Sequence, residues 1–280
     1  MRNYWPAIAL FCLMLISVNA QARSPWRKAL GDTSRLLQSE KIFFEDASSF
    51  RERQRGWGNS VRSYLRRWHN EPDRERSVLV IRWLGQKDRR IQGLKAYLEA
   101  FFQLPVRIQV VSDRTLPAPR SGKYSAEVLQ YRNLEDLPSD AFSVLTLTDL
   151  DLFSEDSGPR GLLFGQGHYV NRTAVASSYR MKTRDLDLYH HRMFKLVTHE
   201  LVHTFALEHC GYFDCLMNSS SSIEGSDRRP LFLCPVCLRK LHEVVGFDPE
   251  KRYRDLLKAS DQLLAGDKNW LRDRLSRANQ

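Results

Sequence analysis

The sequence predicts an α/β (α+β) fold, on two observations. Val78–Leu84 (VLVIRWL), Arg89–Phe102 and Val106–Val111 (VRIQVV) read as strand, amphipathic helix and strand, a spacing that implies parallel pairing through a crossover. Phe142–Thr148 (FSVLTLT) adds a third core strand, and Leu186–Ala206 a long helix with an apolar stripe of Leu188, Met193, Leu196, Val197 and Leu201. The chain has 280 residues, 42% hydrophobic and 27% charged, which excludes disordered, collagen-like and low-complexity classes. A formal net charge of +10 favours solubility and acidic partners but names none.

The elements follow in order. Arg2, the uncharged run Ala7–Val18 and the small residues up to Ala20 or Ala22 have the layout of a secretory leader over residues 1–22. The apolar run is too short to span a bilayer, which takes roughly 20 residues. The expected location is therefore exported, periplasmic or secreted, after cleavage near Ala20 or Ala22. Cleavage would remove Cys12 and leave Cys210, Cys215, Cys234 and Cys237.

Residues 23–76 form a basic, tryptophan-containing extension, with short helices expected over Trp26–Leu37, Ser48–Arg55 and Val61–Trp68. Arginines interleaved with tryptophans are compatible with nucleic-acid binding. The preferred reading is a solvated Arg face with Trp buried against the main domain, so no specific nucleic-acid partner is expected. The main domain is placed at 77–280. After the βαβ unit, residues 112–140 read as loop, then a short strand or helix near Ala126–Leu137. Gly161–Tyr169 and Thr173–Tyr179 read as two short strands joined at Asn171. The glycines between 158 and 167 fit neither phosphate-loop spacing, so that reading is rejected. The stretch from Cys210 to Leu233 reads as irregular. Helices follow over Pro235–Val245, from Asp248-Pro249-Glu250 to about Leu264, and over Asp267–Arg277.

The chemistry sits at the end of the long helix. His199-Glu200-Leu201-Val202-His203 places two imidazoles one turn apart on one helix face, the spacing that lets both bind one metal ion. Glu200 is close enough to reach a water on that metal. His209, six residues beyond His203, can return as a third ligand if the chain turns sharply, leaving a fourth position open as in catalytic zinc sites. Four cysteines follow as C-x4-C and C-x2-C, namely Cys210, Cys215, Cys234 and Cys237. Disulfides and a Cys-Pro-Val-Cys redox motif are alternatives for an exported chain. Structural zinc is preferred, because Cys210 directly follows His209 and a metal clamp would fix that loop. His69, His168, His190, His191 and His242 have no ligand spacing and read as surface or packing residues.

The run from His199 to Cys210, then Cys215-Leu216-Met217, then Asp227 to Cys237, resembles archaemetzincin, peptidase family M54. That family's pattern is H-E-x-x-H-x-x-G-x-x-H-C-x4-C-x-M followed by C-x2-C. The resemblance covers about 80–250 and leaves 23–76 unmatched. It implies a minimal metzincin fold: a twisted mixed sheet with an active-site helix, and a small C-terminal subdomain with structural zinc and helices. It further implies two zinc ions. His199, His203 and His209 would hold the catalytic one, with Glu200 as general base and Met217 in the Met-turn. Cys210, Cys215, Cys234 and Cys237 would hold the structural one. One position departs: the family's glycine is Ala206 here, where a positive-φ turn is expected.

The function expected is that of an exported zinc metallopeptidase, hydrolysing peptide bonds in a peptide or protein substrate. From its position before the zinc helix and from the family resemblance, Gly161–Gly167 is the candidate edge strand above the cleft, with an ordinary glycine-rich hairpin as the alternative. The alternative is a catalytically impaired, zinc-stabilised binding protein with a basic N-terminal arm. A monomer is expected, with no membrane contact beyond the signal peptide.

Overall fold

The computed structural model describes residues 25–31, 50–53, 58–85, 91–112, 116, 119–158, 161–261 and 263–278. The leader expected over 1–22 and the part of the expected helix Trp26–Leu37 beyond Gly31 lie outside the described residues. Among those described, no helix is long and apolar enough to cross a membrane.

The elements in chain order are α1 (Pro25–Leu30), α2 (Val61–Arg66), β1 (Val78–Leu84), α3 (Ile91–Phe102), β2 (Val106–Val111), β3 (Tyr124–Ser125), α4 (Ala126–Glu135), β4 (Ala141–Thr148), β5 (Leu152–Phe153), β6 (Gly165–Gly167), β7 (Thr173–Ser177), α5 (Leu186–His203), α6 (Ile223–Arg228), α7 (Pro235–Val245), α8 (Pro249–Lys258) and α9 (Ala265–Ala278). Five strands form one mixed sheet in the order β2-β1-β4-β7-β6. β2, β1, β4 and β7 run parallel, and β6 closes the edge antiparallel to β7.

β4 is central, and all eight of its residues are buried. Its apolar run reads without alternation because both faces are covered. Leu145 and Leu147 share a core with Val197 and Leu201 of α5. On the other face, Asn133 of α4 accepts from Thr146 Oγ1 (3.0 Å) and donates to the Ala174 carbonyl (3.2 Å). The expected βαβ unit and third strand are present, and they set the sheet against which α5 packs. α5 begins where Asp185 accepts a hydrogen bond from the Leu188 N–H (3.0 Å), a side-chain N-cap.

Several expected boundaries move. Residues 50–53 are not helical: Glu52 pairs antiparallel with Phe213, so this piece is extended against the loop beyond the long helix. α2 stops at Arg66, and the extended chain beyond turns Asn70 inward while Trp68 stays 58% exposed, against the expected burial. The strand expected over 161–169 is only Gly165–Gly167, because Leu163 leaves the sheet to pair with Leu152 of β5. Its partner ends at Ser177, before a 3₁₀ turn over Tyr179–Met181. The long helix ends at His203 rather than Ala206, which has φ +65° and cannot continue a right-handed helix. The stretch read as irregular contains α6, capped by the Ser222 hydroxyl. The helix expected to reach Leu264 ends at Lys258, and α9 starts at Ala265. Ala29, Leu30, Val61 and Tyr64 belong to the same core as α5 and α7.

Candidate metal centres and active site

α5 brings His199, Glu200 and His203 to one buried face, and the loop after it returns His209. His199 Nε2 lies 3.1 Å from His203 Nε2 and 3.3 Å from His209 Nε2. Two backbone carbonyls fix the tautomers. His199 Nδ1 faces the Leu216 oxygen at 2.8 Å and His203 Nδ1 faces the Leu207 oxygen at 2.7 Å. A carbonyl only accepts, so both Nδ1 atoms carry the proton and both Nε2 lone pairs point inward. Burial holds His199 and His203 neutral, His203 being pushed down to about 3. Neutral nitrogens converging this closely repel one another unless a cation lies between them. Ligands about 2.0–2.1 Å from a tetrahedral zinc stand about 3.4 Å apart, so the cluster fits that ion. His209 remains exposed, and this side of the cluster opens to solvent.

Burial pushes the Glu200 carboxyl up to about 8, against the opposing pull of the Arg229 charge and a hydrogen bond from the Gly167 N–H. β6 crosses directly over this helix turn. A Cβ on Gly165 would stand 2.7 Å from Glu200 Cγ, so only glycine leaves the carboxylate its place. Tyr169, just beyond β6, sets its ring edge-on to His203 with centroids 5.2 Å apart.

The turn that returns His209 needs φ +65° at Ala206, a conformation that costs a non-glycine residue on the order of 1 kcal/mol. The backbone at this point turns as expected, with alanine in place of glycine. Behind His199, residues 215–218 form a second turn. The Cys210 N–H donates to the Met217 carbonyl (2.8 Å), and Met217 is fully buried.

Cys210, Cys215, Cys234 and Cys237 meet in a second cluster, all buried and all free thiols. Cys210 Sγ and Cys234 Sγ are 3.6 Å apart, close to the roughly 3.8 Å of two thiolates on a tetrahedral zinc. Hydrogen bonds among the sulfurs pull Cys210 down, while burial pushes Cys215 and Cys234 up. Four buried sulfurs cannot all ionise without a cation at their centre. The donor set therefore suits zinc, and no disulfide joins these four cysteines.

Sequence reasoning missed Asn218 and Arg229. Asn218 accepts from the Cys215 N–H (2.8 Å) and donates to the Cys210 (2.8 Å) and Phe213 (3.0 Å) carbonyls, fastening the cysteine loop. Arg229 donates to the Asn218 carbonyl (2.7 Å), with the same nitrogen 3.3 Å from His199 Nδ1. A polar residue of this kind has no local pattern that would mark it. Of the five histidines expected to be surface or packing residues, His191 is buried and pairs with Asp267 (3.1 Å), and His69 pairs with Glu71 (2.6 Å).

A mixed sheet laid over a helix with two converging histidines, and a third from the loop beyond, defines the metzincin class of zinc metallopeptidases. The chain belongs to peptidase family M54, the archaemetzincins: the family model for Peptidase family M54 matches residues 83–243. It is 29% identical over 216 residues to archaemetzincin-2 of Rattus norvegicus, covering 63% of this chain and 60% of that protein. It is 30% identical over 241 residues to archaemetzincin-2 of Mus musculus, covering 70% and 67% respectively. The chain thus spans about 60% of the length of the rat relative. The crystal structure of archaemetzincin from Methanopyrus kandleri matches with a TM-score of 0.54 and 27% identity, over 63% of this chain and 99% of that one.

Proposed function

We propose that this chain is an exported zinc metallopeptidase that cleaves peptide bonds, with Glu200 as general base. The observation that carries the reading is the convergence of the His199, His203 and His209 side-chain nitrogens, with the buried Glu200 carboxylate on the same helix turn. Bound by the three histidines, zinc supplies Lewis-acid polarisation and a water acidic enough to ionise near neutral pH. Glu200 would take the proton of the attacking water and hand it to the leaving amine, a role open to a carboxylate one residue from the ligand His199. His199 and His203 are held in the ligating tautomer by the Leu216 and Leu207 carbonyls. The outer edge of β6, the last strand of the sheet, could take a substrate as an added strand, its glycines keeping the backbone close to Glu200.

A second zinc on Cys210, Cys215, Cys234 and Cys237 would hold the loop that carries His209. The leader over residues 1–22 would direct export, with cleavage near Ala20 or Ala22, checked by N-terminal sequencing of the secreted chain. The formed turn at Ala206 supports the catalytic reading over that of an impaired binding protein.

The test is a peptide-library digest analysed by mass spectrometry, with wild type and Glu200→Gln. Wild type should cleave, and Glu200→Gln should keep its zinc and lose cleavage by at least about 1000-fold. Equal rates would refute the assignment.

A further inference from the structure

We propose that residues 58–70, outside the part matched by the family model, are a strap that positions the third histidine, with Asn70 as its chief positioning residue. The chain end of α5 leaves backbone carbonyls without helical partners just where the turn towards His209 begins. Two side chains from the strap take them up. Asn70 Nδ2 donates to the Thr204 carbonyl at 2.7 Å, and Tyr64 Oη donates to the Phe205 carbonyl at 2.7 Å. These are the two residues immediately before Ala206, which holds φ +65° without the freedom of glycine.

Asn70 uses its second amide hydrogen on the Tyr169 carbonyl, also at 2.7 Å, and is 7% exposed. One buried amide therefore joins the end of the helix carrying His199 and His203 to the exit of the edge strand. Further along, Gly58 passes over the ligand itself. A Cβ there would stand 2.9 Å from the His209 carbonyl oxygen, and Tyr212 Oη donates to the Gly58 carbonyl at 3.1 Å. Arg67 adds an exposed ion pair to Glu208 at 3.2 Å. Strap contacts thus reach the backbone or side chains of Thr204, Phe205, Glu208, His209 and Tyr212. A turn that alanine holds at positive φ is secured from outside rather than by its own residue.

The proposal rests on His209 holding metal, as argued above, but not on peptide hydrolysis. The test is zinc affinity of the full chain, read by competition with a chromophoric chelator. Titration of the four cysteine thiols serves as the internal control. Asn70→Ala should weaken the histidine-held zinc at least tenfold and leave the thiols masked. Tyr64→Phe removes one hydroxyl while keeping the packing, and should weaken the same zinc about threefold. In an Ala206→Gly background, where the turn no longer needs outside support, the effect of Asn70→Ala should shrink at least fivefold. His209→Ala must release that zinc, and retention would overturn both the strap and the metal assignment. If His209→Ala releases the zinc while Asn70→Ala and Tyr64→Phe leave its affinity unchanged, the strap proposal alone is wrong. An Asn70→Ala loss of equal size in the Ala206→Gly background would also refute it.

Discussion

Gly167 and His203 are in contact with no room for a side chain: a Cβ on Gly167 would stand 2.5 Å from His203 Cβ and 2.5 Å from the Glu200 carbonyl oxygen. The obstruction is helix backbone and a Cβ, neither of which can rotate away. Gly167→Ala should therefore push β6 off the helix, costing about 2 kcal/mol of stability and about 100-fold in peptide cleavage. Gly165→Ala meets the flexible Glu200 side chain instead, and should lose cleavage with a smaller shift in melting temperature. Thermal unfolding and the peptide digest together check both.

Metal removal should be visible in the thiols. If Cys210, Cys215, Cys234 and Cys237 hold zinc, a thiol reagent should find them masked in the native chain. A strong chelator should release four thiols, and the chain should unfold or melt at much lower temperature, because binding energy of this kind is folding energy. Four thiols titrating without chelator would contradict the prediction, and so would none appearing after it.

Asn218 satisfies three buried backbone groups at once, in Cys210, Phe213 and Cys215. Asn218→Ala leaves all three without that partner and should cost about 3 kcal/mol, with faster zinc loss from the cysteine cluster. Denaturant unfolding and chelator-competition rates measure the two effects. Stability within about 0.5 kcal/mol of wild type would show that the asparagine does not fasten the loop.

The Asp227–Arg192 pair gives a pH-dependent prediction. Arg192 Nε and Nη2 donate to the two Asp227 oxygens at 2.8 and 2.5 Å, and these hydrogen bonds hold the Asp227 carboxyl below the usual aspartate range. Its folded-state value is therefore below the unfolded one. The stabilisation is full above the unfolded value of about 4 and is lost as pH falls through the folded value. Asp227→Asn should cost about 1 kcal/mol at pH 7, and the gap to wild type should close as pH falls below about 4. Denaturant midpoints across that range decide it, and a gap that persists at low pH counts against the pair.

The strands and long helices were legible because their signals are local. Val78–Leu84 and Phe142–Thr148 are mostly apolar, without regular alternation, since β1 and β4 are covered on both faces, and such runs mark themselves in any context. Helix ends were less legible. The stop at His203 follows from Ala206 adopting positive φ, and alanine ordinarily continues a helix. The extended piece around Glu52 was read as helix because its pairing partner, Phe213, is remote in the chain. Trp68 is exposed where burial was expected, and Asn70 is buried nearby, since which side chain turns inward after α2 depends on the surface it meets.

By itself, the sequence determined which residues could hold metal. Histidines at i and i+4 share a helix face by geometry alone, and two close cysteine pairs carry their own spacing rule. Only the tertiary structure decided how those ligands are held. The Tyr64 hydroxyl reaches Phe205 across 141 positions and Asn70 reaches Thr204 across 134, while Gly167 fits because the helix beneath it allows nothing larger. The physical reason is that ligand spacing is set by local backbone repeat. The support of a strained turn is set instead by whichever donors the packed core brings within hydrogen-bonding distance.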